Sequence, residues 1–182
     1  MLLHTPYVTE DDFNRFVMLP ENRDRNFEYI AGEIVEVVSN SKSSSTAGKL
    51  FARIGVHVDD NHLGRVTGAD GGYMIFSEKY IPDAAFISYK RQPVDPEVAY
   101  NPIAPDLAVE VLSPGNTETE MIRKIGNYLA AGTVLWVADY VSKTIDVYIP
   151  NQPRKTLRVG DFLEGGDVLP GFRLAVANIF SD

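Results

Sequence analysis

Residues 104–140 have the sequence APDLAVEVLSPGNTETEMIRKIGNYLAAGTVLWVADY, in which two apolar runs flank an amphipathic segment. The run DLAVEVL is typical of a buried central strand, and TVLWVADY is typical of a second strand. Between them, Thr117 and Glu120 have the spacing of a capping box, and Gly132 suits a helix C-terminus, which together predict a helix over 117–131. This stretch therefore predicts a strand, a helix and another strand, as in an α/β protein.

The sequence on either side extends this pattern. Thr9 followed by three acids predicts a short N-terminal helix that ends before Pro20, and a two-residue break at Ala31–Gly32 predicts a hairpin over 27–38. Helically spaced apolar residues predict a second helix over about 46–60, preceded by the loop SNSKSSST. Further strands are predicted at RVTGADGGYMIFS, as a hairpin around a glycine-rich turn, at IPDAAFISY, and toward the C-terminus.

The predicted elements follow the order helix, hairpin, helix, three strands, helix, strands. This order indicates an α/β fold with a mixed sheet and flanking helices. A chain of 182 residues fits one domain over 1–182. We expect an N-terminal helix and hairpin extension at 1–40, a core at 41–140 and extra C-terminal strands at 141–182.

The composition restricts the classes of function. The chain has no cysteine, which excludes disulfides, zinc–thiolate sites and thiol nucleophiles. The N-terminus lacks the features of a signal peptide, and no apolar stretch has the length to span a bilayer, so the expected location is the cytoplasm.

The net charge of −8 opposes binding to nucleic acid unless some acids are metal ligands and the bases share one face. Lys49 and Arg53, one helical turn apart, are candidates for contact with a phosphate backbone, although a solvated helix face has the same pattern.

One acid, Glu110, lies inside the apolar strand, between Val109 and Val111. Burying a bare carboxylate is costly unless it is paired, protonated or bound to a metal. Asp83 begins another predicted strand, directly after Pro82. On neighbouring strands these two carboxylates can converge on a hard divalent cation such as Mg²⁺, which prefers oxygen ligands.

A basic residue, Lys124, lies on the helix that follows the strand of Glu110. From there a lysine can steady the attacking water or the charge that develops on a phosphoryl group. The same spacing also permits a buried ion pair of Glu110 with Lys124 or Arg123 that has no catalytic role. The residues alone leave both interpretations open.

Taken in order, several segments resemble the Uma-two family of endonucleases, within the PD-(D/E)XK restriction-endonuclease-like superfamily. The segments are VTEDDFNRFVMLP, FEYIAGEIVEVVS, IPDAAFI, the stretch from 104 to 140, and VLPGFRL. The resemblance implies a core of helix, three strands, helix and strand. It also implies hydrolysis of phosphodiester bonds that depends on Mg²⁺, for which Mn²⁺ is the expected substitute.

The resemblance also implies roles for single residues. Asp83 in IPDAAF matches the PD aspartate, and Glu110 in VEVLS matches the acid of the (D/E)XK strand, so both are implied metal ligands. The lysine expected two residues after Glu110 is absent, and Lys124 on the next helix occupies the position to which this family has moved it. A further acid from the hairpin assists in such sites; Glu33 is our candidate, and Glu28 is the alternative.

Two classes of function follow. The first is a metal-dependent endonuclease acting on DNA, for which a homodimer is plausible because two sites related by a two-fold axis match two antiparallel strands. The alternative is a non-catalytic module for protein association or oligomerisation, which keeps the nuclease fold and holds its acids in ion pairs. A response to divalent cations distinguishes the two classes.

Overall fold

The computed structural model describes residues 7–181. The prediction that the N-terminus lacks the features of a signal peptide rests partly on residues 1–6, which lie outside this range. Between Tyr7 and Ser181, no helix has both the length and the apolar character needed to cross a membrane. The division into segments 1–40, 41–140 and 141–182 stays a prediction.

Residues 7–181 contain both helices and strands. The helices are α1 (Glu10–Val17), α2 (Ser41–Asp60), α3 (Glu118–Ala130) and α4 (Val176–Ile179), and a 3-10 turn spans Pro20–Asn22. The strands are β1 (Phe27–Ile30), β2 (Glu33–Glu36), β3 (Gly64–Gly68), β4 (Gly72–Ile75), β5 (Glu78–Tyr80), β6 (Ala84–Ser88), β7 (Tyr100–Asn101), β8 (Leu107–Val111), β9 (Val134–Asp139), β10 (Thr144–Tyr148), β11 (Lys155–Arg158), β12 (Phe162–Glu164) and β13 (Arg173–Ala175).

The central sheet has six strands in the order β11-β10-β9-β8-β6-β3. Strands β8 and β9 are parallel, with Glu110 opposite Val137, and the other neighbours in this sheet are antiparallel. Helix α3 connects the two parallel strands. The predicted order of helix, three strands, helix and strand is found in α2, β3, β6, β8, α3 and β9, in which the four strands belong to the central sheet. The predicted mixed α/β fold is thereby confirmed.

The two faces of the central sheet are covered by different helices. Successive residues of a strand point to opposite faces. In β8, Leu107 and Val109 pack in the apolar cluster that contains the buried face of α2. Ala108 packs in the cluster that contains Tyr128 of α3. Glu110, two residues after Ala108, is therefore on the α3 face.

A second sheet of five strands has the order β2-β1-β5-β4-β7. The predicted N-terminal hairpin is confirmed as β1 and β2, joined by Ala31 and Gly32, which both have positive φ, as a two-residue hairpin turn requires. Ile30 and Tyr73 of this sheet belong to the same apolar cluster as Tyr128 of α3. Helix α3 therefore contacts both sheets.

The prediction of a hairpin around the glycine-rich turn is wrong. Strand β3 pairs with β6 in the central sheet, whereas β4 pairs with β5 in the second sheet. The turn, closed by a hydrogen bond from the N–H of Gly71 to the carbonyl of Gly68, carries the chain from one sheet to the other. Local turn chemistry specifies a change of direction, but burial of the strand faces decides the partners.

Helix α2 begins at Ser41 and includes most of the serine-rich segment that was predicted as a loop. The side chain of Asn40 accepts hydrogen bonds from the N–H groups of Lys42 (2.9 Å) and Ser43 (3.0 Å). The Ser43 hydroxyl accepts one from the N–H of Asn40 (3.2 Å). This capping box satisfies the first turn, and its contribution outweighs the modest helix propensity of serine.

Helix α3 begins with the predicted capping box, whose contribution to stability can be measured. The Thr117 hydroxyl accepts from the N–H of Glu120 (3.2 Å), and the Glu120 carboxylate accepts from the N–H of Thr117 (2.9 Å). We expect Thr117→Ala to lower the free energy of unfolding by about 1 kcal/mol, measured by urea denaturation. Thr119→Ala, in the exposed first turn, is the control; an equal loss there would contradict the capping role.

Candidate active site

Four ionisable side chains meet where β1, β6, β8 and α3 come together. Glu28 comes from β1, Asp83 directly precedes β6, Glu110 comes from β8, and Lys124 comes from α3. The side chains of Glu28, Glu110 and Lys124 are 6%, 8% and 5% exposed. Buried charges at this level require partners, so these residues, which we call the acid–lysine cluster, form one electrostatic unit.

The ammonium group of Lys124 is the centre of the cluster. Its Nζ lies 2.8 Å from Oε1 of Glu28 and 3.2 and 3.3 Å from the two carboxylate oxygens of Glu110. It also lies 5.3 Å from the centroid of the Tyr80 ring. Burial lowers the pKa of Lys124, but the carboxylates of Glu110 and Glu28 raise it by more, so the side chain stays protonated.

The carboxylate of Glu110 has a second hydrogen-bond donor. The Tyr128 hydroxyl donates to its Oε1 at 3.2 Å. Burial raises the pKa of Glu110 to about 8; the attraction of Lys124 opposes this shift, and the nearby carboxylates of Glu28 and Asp83 add to it. Burial and the charge of Glu110 raise the pKa of Tyr128 well above its usual value, so its hydroxyl remains a donor.

Asp83 is held by the backbone of the neighbouring strand. The N–H of Val111 donates to its Oδ2 at 2.7 Å, which ties the start of β6 to the end of β8. Burial raises the pKa of Asp83, and this hydrogen bond and the charge of Lys124 oppose the shift. The structure thus brings Asp83, Glu110 and Lys124, which the sequence analysis singled out, into one site.

A cavity of about 70 Å³ opens onto the acid–lysine cluster, which we call the active-site cavity. All four side chains of the cluster line it, together with Ser39 and Ser43 at the start of α2. Such a volume holds several water molecules. Tyr128 is not on this wall, so it holds Glu110 from the side away from the cavity.

The structure separates the two hairpin acids. Glu33, our candidate from sequence, is exposed at the start of the edge strand β2 and is not on the cavity wall. Glu28 lies in β1, between β2 and β5, and its Oε1 also accepts a hydrogen bond from the N–H of Ile81 at 2.7 Å. The acid that the structure places in the cluster is therefore Glu28.

The two predicted phosphate contacts lie elsewhere on α2. The ammonium group of Lys49 donates to the carbonyl of Ser181, near the C-terminus. Arg53 is exposed, and neither residue lines the active-site cavity. Their role in binding nucleic acid stays a prediction, with no support from proximity to the cluster.

A second polar cluster lies on the β5 side of α3. Glu78 accepts hydrogen bonds from Arg123 at 3.1 Å, from Asn127 at 3.0 Å and from the Tyr80 hydroxyl. Arg123 therefore pairs with Glu78 and is not the ion-pair partner of Glu110. This cluster holds α3 against the second sheet.

Sequence reasoning missed Tyr128 and the residues around Glu78. For Tyr128 a signal was present, because it follows Lys124 by four residues, and residues at this spacing share one face of a helix. The contacts of Glu78 had no comparable signal, since they depend on how β5 packs against α3.

The acid–lysine cluster meets some of the requirements of a divalent cation and not others. Within residues 7–181, no group of three or more acidic or histidine side chains is arranged to hold a metal ion. The donor set fits a hard cation in chemistry and charge, because Glu28, Asp83 and Glu110 offer only oxygen ligands and outnumber the single ammonium of Lys124. Asp83 and Glu110 are the residues that would hold it. Both oxygens of Glu110 accept hydrogen bonds from Lys124, so the ammonium group would have to shift when a cation binds.

The fold belongs to the restriction-endonuclease-like class. The sequence profile of the Uma2 family, described as "Putative restriction endonuclease", matches residues 11–177, and the chain belongs to this family. The resemblance seen in the sequence segments is thereby confirmed.

A solved structure has the same fold. It is a crystal structure from Anabaena variabilis described as "a putative nuclease belonging to DUF820", with a TM-score of 0.83 and 24% sequence identity. The match covers 96% of this chain and 98% of that chain, and at this identity the similarity concerns the fold. No curated protein matches the chain.

Proposed function

We propose that this protein is an endonuclease that hydrolyses phosphodiester bonds in DNA with Mg²⁺ or Mn²⁺. The observation that carries the proposal is the position of Lys124, buried between Glu28 and Glu110 on the wall of a cavity that Asp83 also lines. Membership of the Uma2 family supports the same reaction class.

In this proposal Asp83 and Glu110 are the metal ligands. A bound divalent cation supplies polarisation of the phosphoryl group and activation of a water molecule. Lys124 places its positive charge beside the site where negative charge develops on the phosphoryl oxygens. Tyr128 and Lys124 together fix the orientation of the Glu110 carboxylate.

We also propose Glu28, rather than Glu33, as the assisting acid. Its carboxylate lies 2.8 Å from Nζ of Lys124 and keeps the ammonium directed toward the cluster. In this role Glu28 is a positioning residue, and the exposed Glu33 has no part in the reaction.

The direct test is cleavage of DNA by the purified protein. Single-stranded and double-stranded DNA, linear and circular, are incubated with Mg²⁺, with Mn²⁺ and with a chelator, and the products are separated by gel electrophoresis. We expect cleavage with either metal and none with the chelator. Cutting of circular DNA identifies an endonuclease, and absence of cutting under all conditions contradicts the proposal.

Metal binding has a readout that does not depend on activity. We expect saturating Mg²⁺ to raise the melting temperature of the wild-type protein by about 5 °C, since a ligand that binds only the folded state stabilises it. Glu110→Gln removes a proposed ligand and should abolish this increase.

The control for the metal experiment is Glu78→Gln, which also alters a buried, ion-paired glutamate but one that does not line the active-site cavity. It should retain the full response to Mg²⁺ even if its melting temperature without metal is lower. Loss of the response in this variant would show that the effect does not come from the acid–lysine cluster.

A second candidate function is a non-catalytic association module. The observation in its favour is that Lys124 directly contacts both Glu110 and Glu28, so the ion pairs are complete with the protein's own groups. The net charge of −8 also disfavours nonspecific binding to DNA. Absence of both cleavage and thermal response to Mg²⁺ and Mn²⁺ would favour this function. A homodimer and a cytoplasmic location stay predictions from the sequence.

A further inference from the structure

A groove of about 300 Å³ continues from the active-site cavity along α2. The groove and the cavity share Val37, Ser39 and Asp83 as wall residues, so they meet at the acid–lysine cluster. We call this feature the α2 groove. Its wall also includes Gly48 and Phe51 of α2.

Phe51 presents an aromatic ring to the α2 groove. Its side chain is 39% exposed, and within the described part of the chain it forms no aromatic pair. Ser44, Ala47, Gly48 and Phe51 line the groove with the spacing of one helix face. The ring is thus an unstacked aromatic surface that faces a concave space beside the cluster.

Two glycines keep the α2 groove open. A Cβ atom added at Gly48 would meet no atom within 4 Å, so a side chain there would enter free space. A Cβ added at Gly68 would lie 3.8 Å from Cε2 of Phe51, so a larger side chain there would cover the ring. A glycine inside a helix weakens it, so Gly48 has no evident benefit for stability.

The remaining groups of the α2 groove are mostly neutral. Asn26, Ser39 and Ser44 offer hydrogen-bond donors and acceptors, and the charged residue on the wall is Asp83, at the end shared with the cavity. A neutral, planar, hydrogen-bonding ligand fits such a wall better than a phosphate does. The aromatic ring of Phe51 adds a stacking surface for it.

We propose that the α2 groove binds one unstacked nucleobase of the DNA strand, next to the phosphodiester that is cut, with the base stacked on Phe51. The inference rests on the proposed function, because it takes the phosphodiester to lie at the acid–lysine cluster. Base stacking on aromatic side chains is the common way in which proteins hold single-stranded nucleic acid. A base in an intact duplex must first leave its stack, so the preferred substrate is DNA that is single-stranded or unpaired near the cut.

The test uses two probes with equal numbers of phosphates, a fluorescently labelled oligothymidylate and an oligomer of the same length that lacks all bases. Fluorescence anisotropy with Ca²⁺ in place of Mg²⁺ measures the Kd of each. We expect the wild-type protein to bind the base-containing probe at least 10-fold more tightly.

Gly48→Leu places a side chain in the α2 groove from a Cβ position that meets no atom within 4 Å, and it should remove this preference by weakening binding of the base-containing probe about 10-fold. Gly55→Leu is the matched control: it lies in the same helix, a Cβ there also meets no atom within 4 Å, and it does not line the groove. We expect Gly55→Leu to bind as the wild-type protein does.

The stacking role of Phe51 is tested by two further variants. Phe51→Ala should resemble Gly48→Leu, and Phe51→Trp should retain the preference for the base-containing probe. Melting curves establish that each variant is folded.

The outcomes separate this inference from the proposed function. Equal binding of both probes by the wild-type protein, or unchanged binding by Gly48→Leu, would overturn the α2 groove as a base site, even if DNA is cleaved with Mg²⁺. If neither probe binds and no DNA is cut, the inference and the proposed function fail together.

Discussion

Asp83→Asn is expected to lower the rate of DNA cleavage by about 10³-fold while the protein stays folded. The amide oxygen of asparagine can still accept the hydrogen bond from the N–H of Val111, so the link between β6 and β8 is kept. The amide has no negative charge, however, and is a poor ligand for Mg²⁺. The measurement is the initial rate of cleavage at saturating Mg²⁺, with circular dichroism to check the fold.

Asp106→Asn is the matched control for this prediction. Asp106 also accepts a hydrogen bond from a backbone N–H of a neighbouring strand, that of Ser88 at 2.7 Å, but it does not line the active-site cavity. Its ion pair with Arg91 makes a modest loss of stability expected, with cleavage within about twofold of the wild type. An equal loss of activity in both variants would point to a structural effect instead of a metal ligand.

Lys124→Met is expected to abolish cleavage and also to lower the free energy of unfolding at pH 7 by about 3–5 kcal/mol. The methionine side chain fills similar space, but it leaves the buried Glu28 without its counter-charge and Glu110 without the hydrogen bonds from Lys124. Guanidinium denaturation at several pH values measures the loss.

The pH dependence of the Lys124 variant has a defined sign. The pKa of Glu110 is raised in the folded protein from 4.5 to about 8, so the folded state binds more protons than the unfolded state between these values. Stability from this group is therefore full below about pH 4.5 and declines as the pH rises toward 8. Because the charge of Lys124 lowers the pKa of Glu110, its removal raises this pKa further, so the stability of the variant should continue to decline above pH 8, where the contribution of this group in the wild type levels off. A loss that does not vary with pH would contradict this electrostatic origin.

Lys79→Met, which alters a second buried lysine, is the control for Lys124→Met. The ammonium of Lys79 lies 2.8 Å from Glu10 and 2.7 Å from Asn14, in the contact between α1 and β5. The side chain of Glu10 is 44% exposed and stays hydrated when its partner is removed. We therefore expect a smaller loss of stability and no loss of cleavage.

Much of the central sheet follows from local sequence patterns. The capping box of Thr117 and Glu120 predicts α3 correctly, because it depends on residues close together in the chain. Glu110 was also recognisable as a site residue, since a single carboxylate in a buried strand needs a partner.

The remainder depends on contacts between distant segments. The choice between Glu28 and Glu33 required the position of the hairpin relative to α3, because the two side chains differ mainly in which strand of the sheet carries them. The partners of β3 and β4 were wrong for the same reason. Helix α2 begins earlier than predicted because Asn40 and Ser43 form a capping box, whereas serine alone has only a modest helix propensity.

The origin of Glu28 in the second sheet has a consequence for cooperativity. Lys124 makes ion pairs with Glu28 from β1 and with Glu110 from β8, so its ammonium joins the two sheets electrostatically as well as through packing. Any local opening that detaches the N-terminal hairpin would also remove a counter-charge from Lys124. The acid–lysine cluster is therefore complete only while the N-terminal hairpin is docked, which couples local folding of β1 and β2 to the integrity of the cluster.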